Sequence, residues 1–363
     1  MENGGYTDTV KKILLILCIF CAACSKKEPL KKPSSDFESL MGKDLPAWEH
    51  VQTKDDFENL AFFKNVFEKN LVYLSQSYKE IRIPKVIHFI WIGPKPFPRE
   101  SIENVRTWVA HHPDWTMKFW TDRDRPLPHP SMQKVMVQNF KFLDLGKYYN
   151  LSDNYGEKSD ILRMEILYQE GGIYVDHDVK CIKPFDSLHA AFDLYCGMEV
   201  PYKTALYSTV LPTNNILGAR PHHPILKHSM EWLAANWDQI EKDYPGQDRD
   251  SVINRVSHRT FFVLGEMFKR YANQEGNRDI AMPSYYFNSP KAEWAIYAQH
   301  QYKGTWFEGE SKFEKMARER LMMLSKKTNK LFLVLTVMTG LNLIGFIAIL
   351  FHLRKKACYE KKE

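Results

Sequence analysis

The chain has 363 residues, of which 50 are basic and 44 acidic, so its formal net charge is +6. This length is enough to bury a sizeable core, and the small charge excess, without a basic stripe of interleaved aromatics, argues against a nucleic-acid surface. The 6 cysteines are spread over both ends and the middle, which predicts neither a disulfide framework nor a cysteine zinc site in the body.

The first 24 residues are typical of a signal or lipoprotein segment, with an uncleaved anchor as the alternative. The apolar run Ile13–Ala23 follows two lysines and is too short to span a bilayer comfortably. Ala22-Ala23-Cys24 is similar to the end of a bacterial lipobox, although Cys21 stands where Leu is usual. Residues 25–54 are charged and contain proline, so we expect a polar tether there.

An α/β domain is predicted over residues 55–310. Apolar residues three and four apart indicate an amphipathic helix over Asp55–Leu74 that packs on the core. Lys85–Ile92 is almost entirely apolar, as strands of a parallel sheet are, and a helix over Glu100–His111 and a strand over Met117–Trp120 follow it. Strand, helix and strand at this spacing predict a βαβ unit, whose ligands bind at the carboxyl ends of the strands.

Two carboxylates, Asp176 and Asp178, follow a strand predicted over Ile173–Val175. A helix over Asp160–Gln169, capped by Ser159, precedes that strand and ends at a double glycine. Because side chains alternate along a strand, both carboxylates are expected to face the same way, where they repel each other unless a cation lies between them. Oxygen ligands suit a hard divalent ion, so the sequence predicts an Mn²⁺ or Mg²⁺ site.

The helix before this strand adds charged groups to the same region. Asp160 and Arg163 are three residues apart and therefore share one helical face. Together with the acidic pair they would place one arginine, three acids and a metal ion in a small volume. Such a set is suited to holding a sugar joined to a diphosphate.

Further along the chain we predict strands over Leu194–Met198 and Asn214–Ala219 and a helix over Pro224–Ile240. Histidines at the start of this helix suggest a metal site, but such residues are more often structural. We therefore interpret all three as structural: His222, His223 and His228.

The C-terminal part contains a long apolar run. Leu331–Leu353 has no Asp, Glu, Lys or Arg, so the sequence predicts a transmembrane helix over residues 331–353, with a buried core helix as the alternative. A charged juxtamembrane helix over residues 311–330 and a basic tail over residues 354–363 are predicted on its two sides. Because both flanks are basic, the side of the membrane that carries the α/β domain stays open.

Two motifs resemble a known family. The segment Ser159–Asp178 reads S-D-x-x-R followed by L-Y-x-x-G-G-x-Y-x-D-x-D, and Ile83–Gly93 reads I-P-K-V-I-H-F-I-W-I-G. Both are similar to glycosyltransferases with the DXD sugar-binding region, which include yeast-type α-mannosyltransferases, inositol-phosphorylceramide mannosyltransferases and, more distantly, clostridial glucosylating toxins. The resemblance covers residues 81–307. It implies a GT-A-like nucleotide-diphospho-sugar transferase fold, with a mixed, mainly parallel sheet flanked by helices.

The resemblance also implies roles for the acidic motif. Asp178 would bind the metal ion directly, and Asp176 would bind the ion and bridge to the sugar or nucleotide. Asp160 and Arg163 match positions that contact the donor sugar and diphosphate, although the two could also form a plain ion pair. Tyr174 matches a position near the diphosphate, although simple strand packing would explain it as well.

Residues outside the acidic motif match the family too. Trp91 matches the residue that stacks on the nucleotide base. His300 and Trp306 lie in a segment similar to H-x-x-x-G-[ST]-W, which closes over the diphosphate, so His300 is a candidate third metal ligand. Arg259–Gly265 occupies the place of a T-G-P segment but lacks Gly-Pro, which leaves the acceptor side undefined.

The expected activity is transfer of a hexose, with mannose favoured, from a GDP- or UDP-hexose donor to an acceptor hydroxyl, with retention of configuration. The expected partners are this donor, an acceptor lipid or glycan, and a membrane, but no nucleic acid. Alternatives are a phosphatase that uses an aspartyl-phosphate, a toxin-like enzyme that glycosylates a protein, and a membrane-anchored carbohydrate-binding protein without catalysis.

Overall fold

The structure is a computed structural model that describes residues 34–202 and 208–303, together with Thr336, Gly340 and residues 344–350. Segments predicted over residues 1–24, 311–330 and 354–363 lie outside the described residues. Two compact units divide the chain, one over residues 1–240 and 256–303 and the other over residues 241–255 and 304–363. The second unit is described only in part, and in it the Arg255 guanidinium donates to the carbonyl of Gly246 at 2.6 Å.

Seven strands form one sheet in the first unit, and two more form a small second sheet. The strands are β1 (Val86–Ile90), β2 (Thr116–Thr121), β3 (Gln133–Met136), β4 (Gly172–Val175), β5 (Val179–Cys181), β6 (Leu194–Met198), β7 (Pro212–Ala219), β8 (Asp279–Met282) and β9 (Ala298–His300). The large sheet has the order β3-β2-β1-β4-β7-β6-β8, and β5 pairs antiparallel with β9.

The described residues also form α-helices. They are α1 (Phe37–Leu40), α2 (Lys54–Asn70), α3 (Arg99–His111), α4 (Gly146–Leu151), α5 (Tyr155–Glu170), α6 (Asp186–Ala191), α7 (Pro224–Asp243), α8 (Arg249–Arg259) and α9 (Phe261–Tyr271).

The sheet is mixed and mainly parallel. β3, β2, β1 and β4 run parallel to one another, β7 runs antiparallel to both of its neighbours β4 and β6, and β8 pairs parallel with β6. The predicted α/β class and the predicted sheet type are therefore confirmed. The βαβ prediction is confirmed as well, because α3 connects β1 to β2 and buries Val105 and Trp108 completely.

Helix α5 begins five residues before the predicted start. Asn154 caps it, because its side-chain oxygen accepts the backbone N–H of Glu157 at 3.0 Å. Ser159 therefore lies inside the helix and not at its end. The double glycine ends the helix as predicted, with φ of +67° at Gly171 and +98° at Gly172, values that side chains other than glycine rarely adopt.

Part of the region predicted as a polar tether packs on the core. Phe37, Met41 and Val51 are each less than 8 % exposed and belong to the main core cluster. Helix α2 begins with a capping box in which Thr53 and Asp56 accept each other's backbone N–H. Asp56 also accepts the backbone N–H of Thr209 at 2.7 Å, so this helix start is joined to the segment before β7.

The predicted transmembrane helix requires correction. Among the residues that the structure describes, no helix has the length and apolar character that crossing a membrane requires. Within residues 331–353 only Thr336, Gly340 and residues 344–350 are described, and the rest of the predicted span lies outside the described residues. The prediction of this helix, and the membrane localisation that depended on it, is therefore wrong for the described chain.

Candidate active site

The acidic pair lies in a tight turn between β4 and β5. The backbone N–H of Val179 donates to the carbonyl of Asp176 at 3.2 Å, and the N–H of Asp176 donates to the carbonyl of Asn215 on β7 at 2.9 Å. Strand alternation therefore does not set the direction of the two carboxylates, contrary to our reasoning from the sequence. The turn and its anchor on β7 bring them together at the carboxyl end of β4.

Pairing of the small second sheet brings His300 to this turn. Val179 on β5 lies opposite His300 on β9, and the His300 Nε2 atom is 3.4 Å from Asp178 Oδ1. The second oxygen of Asp178 accepts the backbone N–H of Lys303 at 2.7 Å. His300 Nδ1 is buried and has no hydrogen-bond partner among the described residues.

The charges of this pair shift both pKa values. Burial alone would raise the pKa of Asp178, but the hydrogen bond and charge of His300 outweigh burial and hold that pKa well below its usual range. Burial alone would lower the pKa of His300, but Asp178 outweighs it and raises that pKa. The Asp178 carboxylate therefore stays ionised although it is almost fully buried.

Three side chains at the turn could hold a metal ion. One ligand atom from each of Asp176, Asp178 and His300 lies within 4.8 Å of the others. Two carboxylates and one imidazole are a donor set that suits Mn²⁺ or Mg²⁺. The buried Asp178 carboxylate and the partly exposed Asp176 carboxylate would otherwise repel each other, so this donor set fits the predicted ion.

Arg163 on α5 connects the helix to the acidic turn. The side chain is 5 % exposed, and its Nη2 atom is 2.6 Å from Asp160 Oδ1 and 3.4 Å from Asp176 Oδ1. Its Nη1 atom donates to the carbonyl of Asn214 at 2.6 Å. The guanidinium lies over the Tyr174 ring, with Cζ 3.9 Å from the ring centroid. The Arg163 guanidinium is therefore held on several sides and points at the acidic turn.

Tyr174 connects Arg163 to Asp176. Its hydroxyl donates to Asp176 Oδ1 at 2.6 Å and accepts from Arg163 Nη2 at 3.0 Å. Burial raises the pKa of Tyr174 well above its usual value, and the Asp176 carboxylate adds to this effect, which outweighs the attraction of Arg163. The phenol therefore stays protonated and acts as a hydrogen-bond donor to the carboxylate.

Asp160 accepts hydrogen bonds at both of its carboxylate oxygens. Besides the Arg163 contact, its Oδ2 atom accepts from the Thr260 hydroxyl at 2.7 Å and its Oδ1 atom accepts from the Asn214 amide at 3.2 Å. Burial raises the pKa of Asp160 to about 6, and the attraction of Arg163 offsets only part of that increase. Our sequence reasoning missed Thr260 and Asn214, because each becomes a partner only through the tertiary fold.

Trp91 lies just after β1 in a small aromatic group. Its ring centroid is 5.5 Å from that of Phe97 and 4.8 Å from that of His177, both nearly edge-on. The indole N–H donates to the carbonyl of Lys95 at 2.9 Å, which fixes one edge of the ring. Trp306, the other tryptophan predicted at the site, lies outside the described residues.

The three histidines near α7 have structural surroundings. His223 and Asp279 are both fully buried, with 2.9 Å between Nε2 and Oδ1. His228 Nδ1 is 2.8 Å from Glu231 on the same helix, and the His222 ring packs edge-on against Tyr168. None of the three takes part in the cluster at the acidic turn.

Fold and site together define an α/β protein with an acidic, metal-compatible turn at the carboxyl end of a parallel strand. Residues 98–193 match the family described as glycosyltransferase sugar-binding region containing DXD motif. The match confirms the resemblance drawn from the sequence, and the acidic turn of this chain lies inside the matched region.

Individual relatives match part of the chain. Subversion of eukaryotic traffic protein A of Legionella pneumophila is 32% identical over 191 residues, which cover 48% of this chain and 28% of that protein. Inositol phosphoceramide mannosyltransferase 3 of Schizosaccharomyces pombe is 29% identical over 155 residues, which cover 43% of this chain and 37% of that protein. The chain thus spans about a third of the length of these relatives.

A solved structure, PaToxG Glycosyltransferase, superimposes with a TM-score of 0.43 and 20% identity, covering 60% of this chain and 82% of that one.

Proposed function

We propose that this protein is a metal-dependent glycosyltransferase that moves a hexose from a nucleotide-diphosphate sugar to an acceptor hydroxyl. The observation that carries the proposal is the convergence of Asp176, Asp178 and His300 within 4.8 Å beside the buried Arg163 guanidinium. The match to the DXD sugar-binding region supports the same activity.

The metal-binding group consists of Asp176, Asp178 and His300, which would hold Mn²⁺ or Mg²⁺. Bound there, the ion would neutralise charge that develops on the departing diphosphate. Tyr174 fixes one oxygen of Asp176, and the backbone of Lys303 fixes one oxygen of Asp178. These hydrogen bonds orient the carboxylates before the donor arrives, which reduces the cost of reorganisation during the reaction.

Arg163 and Asp160 would hold the donor sugar and its diphosphate. Arg163 stays charged at every physiological pH, and from its position beside Asp176 it would stabilise the negative charge that develops on the diphosphate. Trp91 would stack on the base of a GDP or UDP donor, about where the ends of β1 and β4 meet. Trp306 would close over the diphosphate, as the family resemblance implies.

In the proposed reaction the bond from the anomeric carbon to the diphosphate oxygen breaks, and the acceptor oxygen forms a new bond to that carbon. The acceptor proton leaves with the departing diphosphate, so no further reactant is required. Both oxygens of Asp160 accept hydrogen bonds from neighbouring side chains, and the family resemblance implies retention of configuration. We propose front-face transfer, in which no carboxylate of the protein forms a bond to the sugar.

The favoured hexose is mannose, carried by GDP or UDP, and the favoured acceptor is a hydroxyl group of a glycolipid. Support comes from the similarity to the inositol phosphoceramide mannosyltransferase of Schizosaccharomyces pombe. A protein acceptor is the alternative outcome. Incubation with labelled donor and separate lipid and protein fractions distinguishes the two, because label enters only one fraction.

The first test is hydrolysis of individual nucleotide sugars, including GDP-mannose, UDP-glucose and UDP-galactose, with Mn²⁺, with Mg²⁺ or with a chelator. We expect hydrolysis of one donor that the chelator stops. Replacing Asp178 by Asn should lower kcat at least 100-fold, because the change removes one charge from the ligand set.

Asp114→Asn is a matched control, since Asp114 is 63 % exposed and pairs with Lys85 before the amino ends of β2 and β1, at the sheet edge opposite the acidic turn. That variant should keep the wild-type rate. Hydrolysis that continues at the wild-type rate in Asp178→Asn, or without any divalent ion, would contradict the proposal.

A further inference from the structure

His177 lies between the two aspartates of the acidic turn, and its side chain points to the aromatic group around Trp91. The His177 and Trp91 ring centroids are 4.8 Å apart at an interplanar angle of 75°, and Phe97 lies 6.1 Å from His177 and 5.5 Å from Trp91. We call these three rings the aromatic box. One wall of the box thus belongs to the same turn that carries the candidate metal ligands.

Helix α3 fixes this wall from the other side. Ser101 is fully buried, and its hydroxyl oxygen is 2.7 Å from His177 Nδ1. The Asn104 amide donates to the backbone carbonyl of His177 at 3.2 Å. The side chain and the backbone of His177 are therefore both tied to one helix, which leaves the imidazole little freedom to rotate.

The same helix also reaches the strand that supplies His300. Asn104 and Gln301 exchange two side-chain hydrogen bonds, of 3.1 and 3.4 Å. The aromatic box, the acidic turn and the segment after β9 consequently share a single support. A shift of any one of them would strain hydrogen bonds to the other two.

We propose that His177 is a positioning residue that fixes the Trp91 indole for the nucleoside of the donor. The turn would thereby set the distance between the diphosphate site and the nucleoside site. This inference rests on the proposed function. It adds one residue, His177, that would increase the affinity for the nucleotide by holding the Trp91 ring in position. His177 acts through Trp91 and does not itself contact the reacting atoms.

The test is calorimetric titration of UDP and of GDP into the full-length protein with saturating Mg²⁺. His177→Ala should weaken binding of the preferred nucleotide about three- to tenfold, the range expected for loss of one edge-to-face aromatic contact. His177→Phe keeps a ring against the indole and should restore affinity to within about twofold of wild type. His129→Ala is the matched control, because His129 also contacts a serine but lies in an exposed loop.

A double-mutant cycle tests whether His177 acts through Trp91. In a Trp91→Ala background, His177→Ala should cause no further loss of nucleotide affinity, since the ring that it positions is absent. Additive losses would overturn the proposal, as would an unchanged Kd in the single variant or a failure of His177→Phe to restore affinity.

Two further readouts separate positioning from a general disturbance of the turn. Mn²⁺ titrated alone should bind wild type and His177→Ala with the same Kd, and a parallel loss of Mn²⁺ affinity would refute the proposal. In donor hydrolysis, His177→Ala should raise KM and keep kcat within about twofold. If the wild-type protein binds neither nucleotide, the proposed function fails and this inference with it, whereas normal wild-type binding with an unaffected variant refutes the inference alone.

Discussion

Asp160 combines two properties that rarely coincide in one carboxylate. It is paired with a buried arginine, and it accepts hydrogen bonds from Thr260 and Asn214, yet burial still raises its pKa to about 6. Near neutral pH it is ionised and holds Arg163 in place. A modest decrease in pH therefore removes the charge that orients this arginine.

Donor hydrolysis should accordingly decrease on the acid side with a midpoint near pH 6. The measurement is kcat/KM as a function of pH at saturating Mn²⁺, which keeps His300 from taking up a proton. Asp160→Asn should have lower activity throughout and no acid limb in this range. An acid limb that persists at pH 6 in this variant would assign the titration to another group.

The raised pKa of Asp160 decreases activity at acidic pH, but it stabilises the folded protein there. Because the folded-state pKa of Asp160 exceeds the ordinary value of an aspartate, about 3.9, the folded protein holds a proton between about pH 4 and 6 that the unfolded chain releases. This group thus favours the folded state as pH falls through that window. Carboxylates with lowered pKa values, such as Asp56 and Asp178, lose their contribution only below about pH 4. Buried neutral histidines such as His88 and His189 act in the opposite sense, because below about pH 6.5 the unfolded chain takes up protons that the folded chain does not. The contribution of Asp160 is therefore measured against Asp160→Asn: the Tm of wild type relative to this variant should be higher at pH 5 than at pH 7.

At the scale of single residues, the sequence predicts which site residues lie together only where those residues are close along the chain. Asp160, Arg163, Tyr174, Asp176 and Asp178 fall within one helix, one strand and one turn, so spacing predicts that they share one region. The turn and its anchor on β7, which spacing does not predict, set the direction of the two carboxylates. Partners from distant segments are different, because the contact between Thr260 and Asp160 joins residues 100 positions apart and depends on tertiary packing. His300 was found only through family resemblance.

The connection from α5 to β4 is the element that aims the acidic turn. His88 on β1 secures it, because its Nε2 atom is 2.9 Å from the Gly171 carbonyl and its Nδ1 atom accepts the indole N–H of Trp120 at 3.1 Å. These partners require a proton on Nε2. Burial lowers the pKa of His88 to about 3, so the imidazole stays neutral and keeps this arrangement at physiological pH.

Gly172→Ala should destabilise the protein by more than about 3 kcal/mol. A Cβ atom there would lie 2.6 Å from the Val86 carbonyl oxygen and 3.0 Å from His88 Nε2, at a φ of +98°. Gly276→Ala is the matched control, because Gly276 also has a positive φ of +78° but nothing within 4 Å of its Cβ position. Gly276→Ala should lower the free energy of unfolding by only about 1–2 kcal/mol. Urea unfolding measures both, and equal losses would show that steric contact is unimportant here.

Regular elements were predictable where hydrophobic pattern and length agree. The strand over Leu194–Met198 has the predicted bounds. Helix α3 begins one residue before its predicted start at Glu100 and ends at His111 as predicted. β3 was not predicted, since its four residues are exposed or half-buried and lack an apolar pattern. The start of α5 was misplaced because Ser159 and Asn154 are both good caps, and only the tertiary fold decides between them.

At the scale of the whole molecule, the candidate metal site joins distant parts of the first compact unit. Asp176 and Asp178 follow the central strand β4, whereas His300 ends β9, which pairs with β5. An ion held by all three side chains would bind the folded chain and not the unfolded one. Metal binding should therefore be linked to global stability.

Mn²⁺ at about 100 times its Kd should stabilise the protein by about 2.7 kcal/mol, which corresponds to a Tm increase of about 4 to 5 °C for a unit of this size. His300→Ala should reduce the increase, and Asp178→Asn should abolish it. Differential scanning calorimetry with and without chelator measures the effect. An identical Tm in both conditions would mean that the three side chains do not bind Mn²⁺.

The residues of this site lie far apart in the sequence, and this has a consequence for biosynthesis. The backbone N–H that binds the Asp178 carboxylate belongs to Lys303, 125 residues later. At typical translation rates, the ribosome adds that much chain in about 6 to 25 s. During this interval the newly made acidic turn lacks its histidine, its backbone donor and its partner strand. The nascent polypeptide should therefore acquire its ion late, so that an incomplete chain is inert towards cellular nucleotide sugars.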